Sequence, residues 1–281
     1  MMTGVRIMSV LFLLMTTAGI GYAEDVNDLI FQGSALSYEG KLEAAATMFS
    51  RAVALEPDNE FAMNQLGLIH AKQEKFTAAA REFGQVLKLS PDNIFARTWV
   101  GVLLLNDNKV EQAREEFHKI LNLDPANANA YYFLGVMYAV DHNMGQAVSY
   151  LRKAQTVGSD DPETHYRLAQ AFAGMGMQIN ARLEYERALD LSPKFIKALN
   201  GLGWLVYNQG DADEGIAIWH KVLKINASDS EAQYNLAKVY NDKAYGALTR
   251  GNNVQARKWW EKTLTYEPSN KAAKYYLRKL E

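Results

Sequence analysis

The chain has 281 residues, 48% hydrophobic and 22% charged, and a formal net charge of −2. That composition is globular and excludes a disordered or fibrous chain, and the near-neutral balance lacks the basic footprint of a nucleic-acid binder. The absence of cysteine excludes disulfides, thiol nucleophiles and lipid attachment to an N-terminal cysteine.

The first element in chain order is the segment 1–23. Arg6 supplies a positive start, Ile7 to Ile20 is apolar and uncharged, and Gly21-Tyr22-Ala23 is a small-x-small cleavage site followed by Glu24-Asp25. This is the layout of a secretory signal peptide, and its apolar run falls short of the roughly 20 residues a membrane span needs. The expectation is cleavage after Ala23 and export, to a bacterial periplasm first. Secretion and an uncleaved N-terminal anchor are the alternatives. Cleavage removes Arg6 and no acid, so 29 bases face 32 acids in residues 24–281. No later segment approaches a membrane span. Asn226-Ala-Ser228 is a glycosylation acceptor only in a eukaryotic source.

The rest of the chain is periodic. Pro57, Pro91 and Pro125 are 34 residues apart, and the same step reaches Ser159, Pro193 and Ala227. Other columns keep the step. Small residues recur at Gly33, Gly67, Gly101, Gly135, Ala169 and Gly203, and again at Ala45, Ala79, Ala113, Ala147, Ala181 and Gly215. Bulky residues recur at Phe49, Phe83, Phe117, Leu151, Tyr185 and Trp219. A seventh copy carries Ala256, Trp260 and Pro268 at their usual spacing, but seven extra residues separate Ala237 from Ala256. Seven residues is close to two helical turns, so the insertion lengthens a helix, through about Leu248, without turning its buried face.

These columns, with Leu66-Gly67, Leu134-Gly135 and Leu202-Gly203, resemble the tetratricopeptide repeat (TPR) family. The resemblance implies an all-α fold: a right-handed superhelical solenoid of about seven helix-turn-helix repeats plus a C-terminal capping helix. It covers 26–59, 60–93, 94–127, 128–161, 162–195, 196–229 and 230–270 within one solenoid, 24–281, with the cap at 271–281. Repeat 1 is weak at its start, with Gln32 where leucine is common, and the Pro162 of repeat 4 is displaced by three residues. Asp58, Asp92 and Asp229 stand where helix N-caps are wanted. Ala272, Tyr276 and Leu280 form the apolar face of the closing helix, with Leu277 as a candidate member.

In the TPR family the first helix of each repeat lines a concave groove, with contacts at its second, fifth, ninth and twelfth residues. Carried onto this sequence, the fifth column gives Ile30, Asn64, Thr98, Tyr132, Tyr166, Asn200 and Tyr234. The second gives Phe61 and Phe95, and the ninth and twelfth give Trp204 and Tyr207. The partner-binding groove is therefore expected at Asn64, Tyr132, Tyr166, Asn200, Trp204, Tyr207 and Tyr234, aromatic and amide-rich with little charge. Aromatics give contact area at small entropic cost, and an asparagine amide can hold a peptide backbone. The competing reading packs these aromatics between helices. Arg167 and Lys197 alone do not make a clamp for a carboxylate. The tip of the insertion, Lys243 to Arg250, is either a second contact surface or a cap.

Catalysis is not expected. His70, His118, His142, His165 and His220 are scattered without metal-ligand spacing, and no phosphate-binding glycine loop or nucleophile motif is present. No metal or cofactor is expected. Acidic pairs such as Asp160-Asp161 are expected to serve solubility and helix dipoles. The reading is a non-catalytic protein–protein interaction scaffold of the cell envelope, part of an assembly or export machine. Its partner is a protein or peptide, without nucleic acid or membrane insertion after cleavage. The alternative is a chaperone-like periplasmic receptor that holds extended clients.

Overall fold

The computed structural model describes residues 25–158 and 160–280. The expected signal segment lies outside them. Among the described residues the chain is all-α, without strands. Seven helix pairs follow one another: α1 Val26–Tyr38 with α2 Leu42–Leu55, α3 Glu60–Lys72 with α4 Phe76–Leu89, and α5 Ile94–Asn106 with α6 Val110–Leu123. Then come α7 Ala128–Val140 with α8 Met144–Val157, α9 Pro162–Gly174 with α10 Gln178–Leu191, and α11 Ile196–Asn208 with α12 Ala212–Ile225. The last pair, α13 Ser230–Thr249 with α14 Asn253–Tyr266, is followed by α15 Lys271–Lys279. Two compact units divide at Glu116 and Phe117, within α6.

The first helices of the first six pairs have 13 residues, and every second helix has 14. Where the pair turns, the chain enters the left-handed region, at Gly40, Glu74, Asn108, His142, Gly176, Gly210 and Gly251. The next amide closes a wide loop back onto the first helix, as from Lys75 N–H to the His70 carbonyl at 2.8 Å. Such a stop wants glycine, because a side chain at positive φ strains the backbone. Most first helices are capped at their start by a side chain, α11 being the exception: Ala62 N–H donates to Asn59 Oδ1 at 2.9 Å, and Ala96 N–H to Asn93 Oδ1 at 3.0 Å. The caps are thus Asn59 and Asn93, one residue past the expected Asp58 and Asp92. Asp229 caps α13 as expected, accepting from Ala232 N–H at 2.9 Å. The displaced proline is the first residue of α9, behind Asp161, which accepts from both Glu163 and Thr164 N–H. Proline fits there because that position has no amide bond to lose. Despite its weak start, α1 forms a full helix, with Val26, Leu29 and Gly33 buried.

Packing explains the columns. In the first unit a methyl added at Gly67 would lie 2.8 Å from the Phe83 ring. In the second unit one added at Gly135 would lie 2.6 Å from Leu151, and one at Gly203 2.7 Å from Trp219. The missing side chain is filled by the bulky residue of the partner helix. Phe83 and Trp219 are both fully buried. Phe83 and Val86 anchor the first unit's core with Met63, Ala96 and Leu103. In the second unit Leu168, Tyr185 and Leu202 form one cluster, and Leu199, Trp219 and Leu236 the next.

The seven-residue insertion makes α13 20 residues long, ending at Thr249. Its added turns are packed rather than projecting. Ala244 and Ala247 are buried with Trp260, and Tyr245 stands edge-on to Trp260 and Tyr276 at 5.6 and 5.4 Å. This favours the cap over the contact surface. The closing helix buries Ala273, not Ala272, with Tyr276, Leu277 and Leu280 against the same cluster. Residues 273, 276, 277 and 280 share one helical face, which 272 leaves.

One polar cluster was not expected. His165, 1% exposed, is held at both ring nitrogens: Nδ1 lies 2.6 Å from Glu184 Oε2, and Nε2 2.7 Å from Asp160 Oδ1. Arg187 also reaches Glu184, at 3.4 Å. Asp160 therefore has a structural role beyond solubility.

Two outcomes follow. Glu74→Gly and His142→Gly should each raise stability by about 0.5–1 kcal/mol, with Asn108→Gly near neutral, in thermal melts. Glu184→Ala should lower it by about 3 kcal/mol, because it strips a partner from a buried polar cluster; a loss no larger than that of an exposed Glu→Ala change refutes that role.

Candidate partner-binding groove

The second unit sets α9, α11 and α13 side by side. They start 34 residues apart, so equivalent residues line up across them. Between them a pocket of about 370 Å³ opens, lined by Tyr166, Gln170, Lys197, Gly201, Trp204 and Glu231 among others. Gly201 lets the Tyr185 ring pack close against α11: a methyl there would strike that ring at 2.6 Å.

The expected residues take different places. Tyr166 lines the pocket half-buried, its ring 5.4 Å from Phe195 and its hydroxyl accepting from Gln170 Nε2 at 2.8 Å. Trp204 is 39% exposed and sits 5.6 Å from the Tyr207 ring. Tyr207 contacts Asp242 through its hydroxyl, and Lys238 Nζ lies over both rings, 5.9 Å from Trp204 and 5.4 Å from Tyr207. Tyr132 on α7 packs partly into the core, its hydroxyl 3.5 Å from Glu163 Oε1. Burial pushes the Tyr132 and Tyr166 hydroxyls above the ordinary tyrosine range. Both rings pack partly buried against the core between helices, and Tyr166 alone of the two lines the pocket. Tyr234 is 62% exposed.

The asparagines differ from expectation. Asn200 is 1% exposed, and its Nδ2 donates to Asp229 Oδ1 at 3.1 Å and Glu231 Oε2 at 3.3 Å. It orients two carboxylates instead of presenting an amide to solvent. Asn64 is buried in α3, in the first unit, apart from the other six. Thr98 turns its hydroxyl back onto the Ile94 carbonyl at 2.8 Å.

Nor is the groove poor in charge. Glu163 pairs with Arg167 at 3.0 Å and with Lys197 at 3.8 Å, and Lys238 pairs with Asp242 at 3.0 Å. Arg167 and Lys197 are thus engaged by one carboxylate. Glu163, Lys197 and Glu231 occupy the same second column that supplied Phe61 and Phe95, and Lys238 the ninth column that supplied Trp204. The second column thus carries charge in the second unit where it carries aromatics in the first. Among the described residues no group of three or more His, Asp or Glu side chains is arranged to hold a metal ion.

Burial, reinforced by Asp229, pushes the Glu231 carboxyl above its ordinary value of 4.5, against the hydrogen bond from Asn200. A carboxyl whose folded value is raised adds stability below its unfolded value and loses that contribution as pH rises through the folded value. Glu231→Gln should therefore raise Tm at pH 7, with the gain shrinking toward zero below pH 4.5 in melts across that range.

The tetratricopeptide repeat family matches residues 32–94, 70–136 and 162–195. No curated protein matches the chain by sequence. Solved structures share the fold. The C-terminal part of a TPR protein from Cytophaga hutchinsonii has a TM-score of 0.69 at 16% identity, covering 88% of this chain and 99% of its own. Pseudomonas aeruginosa pilF has a TM-score of 0.66 at 17% identity, covering 76% and 97%. YrrB has a TM-score of 0.55 at 22% identity, covering 70% and 97%. TPR repeats generally mediate protein–protein interaction and are generally non-catalytic scaffolds. Among the described residues no helix is long and apolar enough to cross a membrane. With its glycine and bulky columns interlocked along a run of helix pairs, the chain carries tetratricopeptide repeats, matched by that family over residues 32–136 and 162–195.

Proposed function

We propose that this chain is a non-catalytic scaffold of the cell envelope that seats an extended segment, or a helix, of a partner protein across α7, α9, α11 and α13. The observation that carries the reading is the pocket among three first helices, walled by Tyr166 and Trp204 and fringed by charge. Exposed aromatics beside satisfied ion pairs are what binding hot spots are made of. YrrB, of the same fold, is described as having an unusual peptide-binding site. The envelope location rests on the layout of residues 1–23. A scaffold is favoured over a general client-holding receptor because the fifth column varies, from Asn64 through Tyr132 and Tyr166 to Asn200, where a general receptor favours uniform repeats.

The test is site-specific photo-crosslinking in envelope extract with the full chain. A reactive residue at Gln170, in the pocket, should capture one or two proteins, and Trp204→Ala/Tyr234→Ala should abolish capture at unchanged helicity. The same residue at Ile179, 85% exposed on α10, should capture neither. Equal capture at both positions, or capture that survives the double variant, removes the groove. Many adducts at Gln170 establish the client-holding alternative instead.

A further inference from the structure

The carboxylates of the groove are not equivalent. Glu163 and Asp242 have cations of their own, as above. Glu231, on the wall of the pocket, and Asp229 beside it have none among the described residues; both instead accept from one neutral amide, Asn200 Nδ2. The other atom of that amide, Oδ1, is buried without a partner. Glu231 thus lines a pocket together with Tyr166, Tyr185, Trp204 and Gly201, and Asp229 is tied to it through the shared Asn200 amide.

We propose that this pocket is a subsite for a lysine or arginine side chain of the bound segment, its alkyl stem between Tyr166 and Trp204 and its charged head at Glu231 and Asp229. The inference rests on the groove reading and names the chemistry the groove selects. Three features converge on a cation. Aromatic faces attract positive charge as well as apolar stem. An ammonium or guanidinium brings several donors, enough for both carboxylates. Like charges side by side, partly withdrawn from water, gain when a cation arrives, and the upward push on Glu231 reports that unmet need. The chain's own cations are paired with other carboxylates: Lys197, which also lines the pocket, is 59% exposed and lies 3.8 Å from Glu163, and Lys238 is directed to Asp242. An acidic side chain would meet Glu231 and find Lys197 already engaged. A pocket of about 370 Å³ is ample for one long side chain.

The probes are N-acetylated, C-amidated octapeptide pools with randomised flanks and one fixed central residue, Lys, Arg, Leu or Glu. Each is titrated into the full chain, and the indole resonance of Trp204 is followed by NMR. The Lys and Arg pools should bind about tenfold more tightly than the Leu pool, with the Glu pool weakest. Glu231→Gln should bring the Lys pool to the level of the Leu pool. If the pools move Trp204 without charge preference, if Glu is preferred, or if Glu231→Gln keeps the preference for Lys, the subsite is overturned and the groove stands. If no pool moves Trp204, the groove reading falls and the subsite with it.

Discussion

Everything in this chain depends on how closely two helices of one pair approach. At Gly33, Gly67, Gly135 and Gly203 the first helix presents bare backbone, and Phe49, Phe83, Leu151 or Trp219 from the second helix fills the space. A glycine inside a helix costs up to about 1 kcal/mol in propensity. Burying a large side chain offsets that cost and fixes the distance between the axes. Once that distance is set, the flank of each first helix faces the next pair, and its second, fifth, ninth and twelfth residues fall in rows.

Sequence carried this layer well because it repeats. A column seen several times over needs no knowledge of contacts, and helix lengths, turns and the two extra turns of α13 could be read from spacing. Contacts without a period were harder to read. Glu184 and His165 are 19 residues apart on different helices, and nothing in the 34-residue pattern marks them as partners. The caps at Asn59 and Asn93 were missed by one residue because Asp-Asn offers two good caps in a row, and only the position of the first helical turn decides between them. Asn200 was misread for a different cause: a shared column fixes which face a residue belongs to, but not whether a neighbouring carboxylate has already claimed its amide.

Electrostatics divides the groove into settled and unsettled parts. Glu163 and Asp242 are answered by Arg167, Lys197 and Lys238, so they shape the surface while adding little attraction of their own. Asp229 and Glu231 are answered only by an amide. Asp229 must stay where it is because it caps α13, and Glu231 is in the first turn of the same helix, where the dipole welcomes it. Local helix chemistry thus leaves an uncompensated pair of carboxylates at the pocket wall.

The long α13 shows how such an architecture accepts new material. Each added residue rotates the following face by about 100°, so seven bring it back to within about 20° of its starting direction. Ala244 and Ala247 can therefore continue the buried stripe begun by Leu236 and Tyr240, and meet Trp260. Five added residues would swing that stripe about 140° away and leave the indole facing water. Growth of a first helix is in effect quantised. Insertions close to whole turns, such as four or seven residues, keep the stripe near its face, and those between swing it away, although every one of them would make an equally good isolated helix.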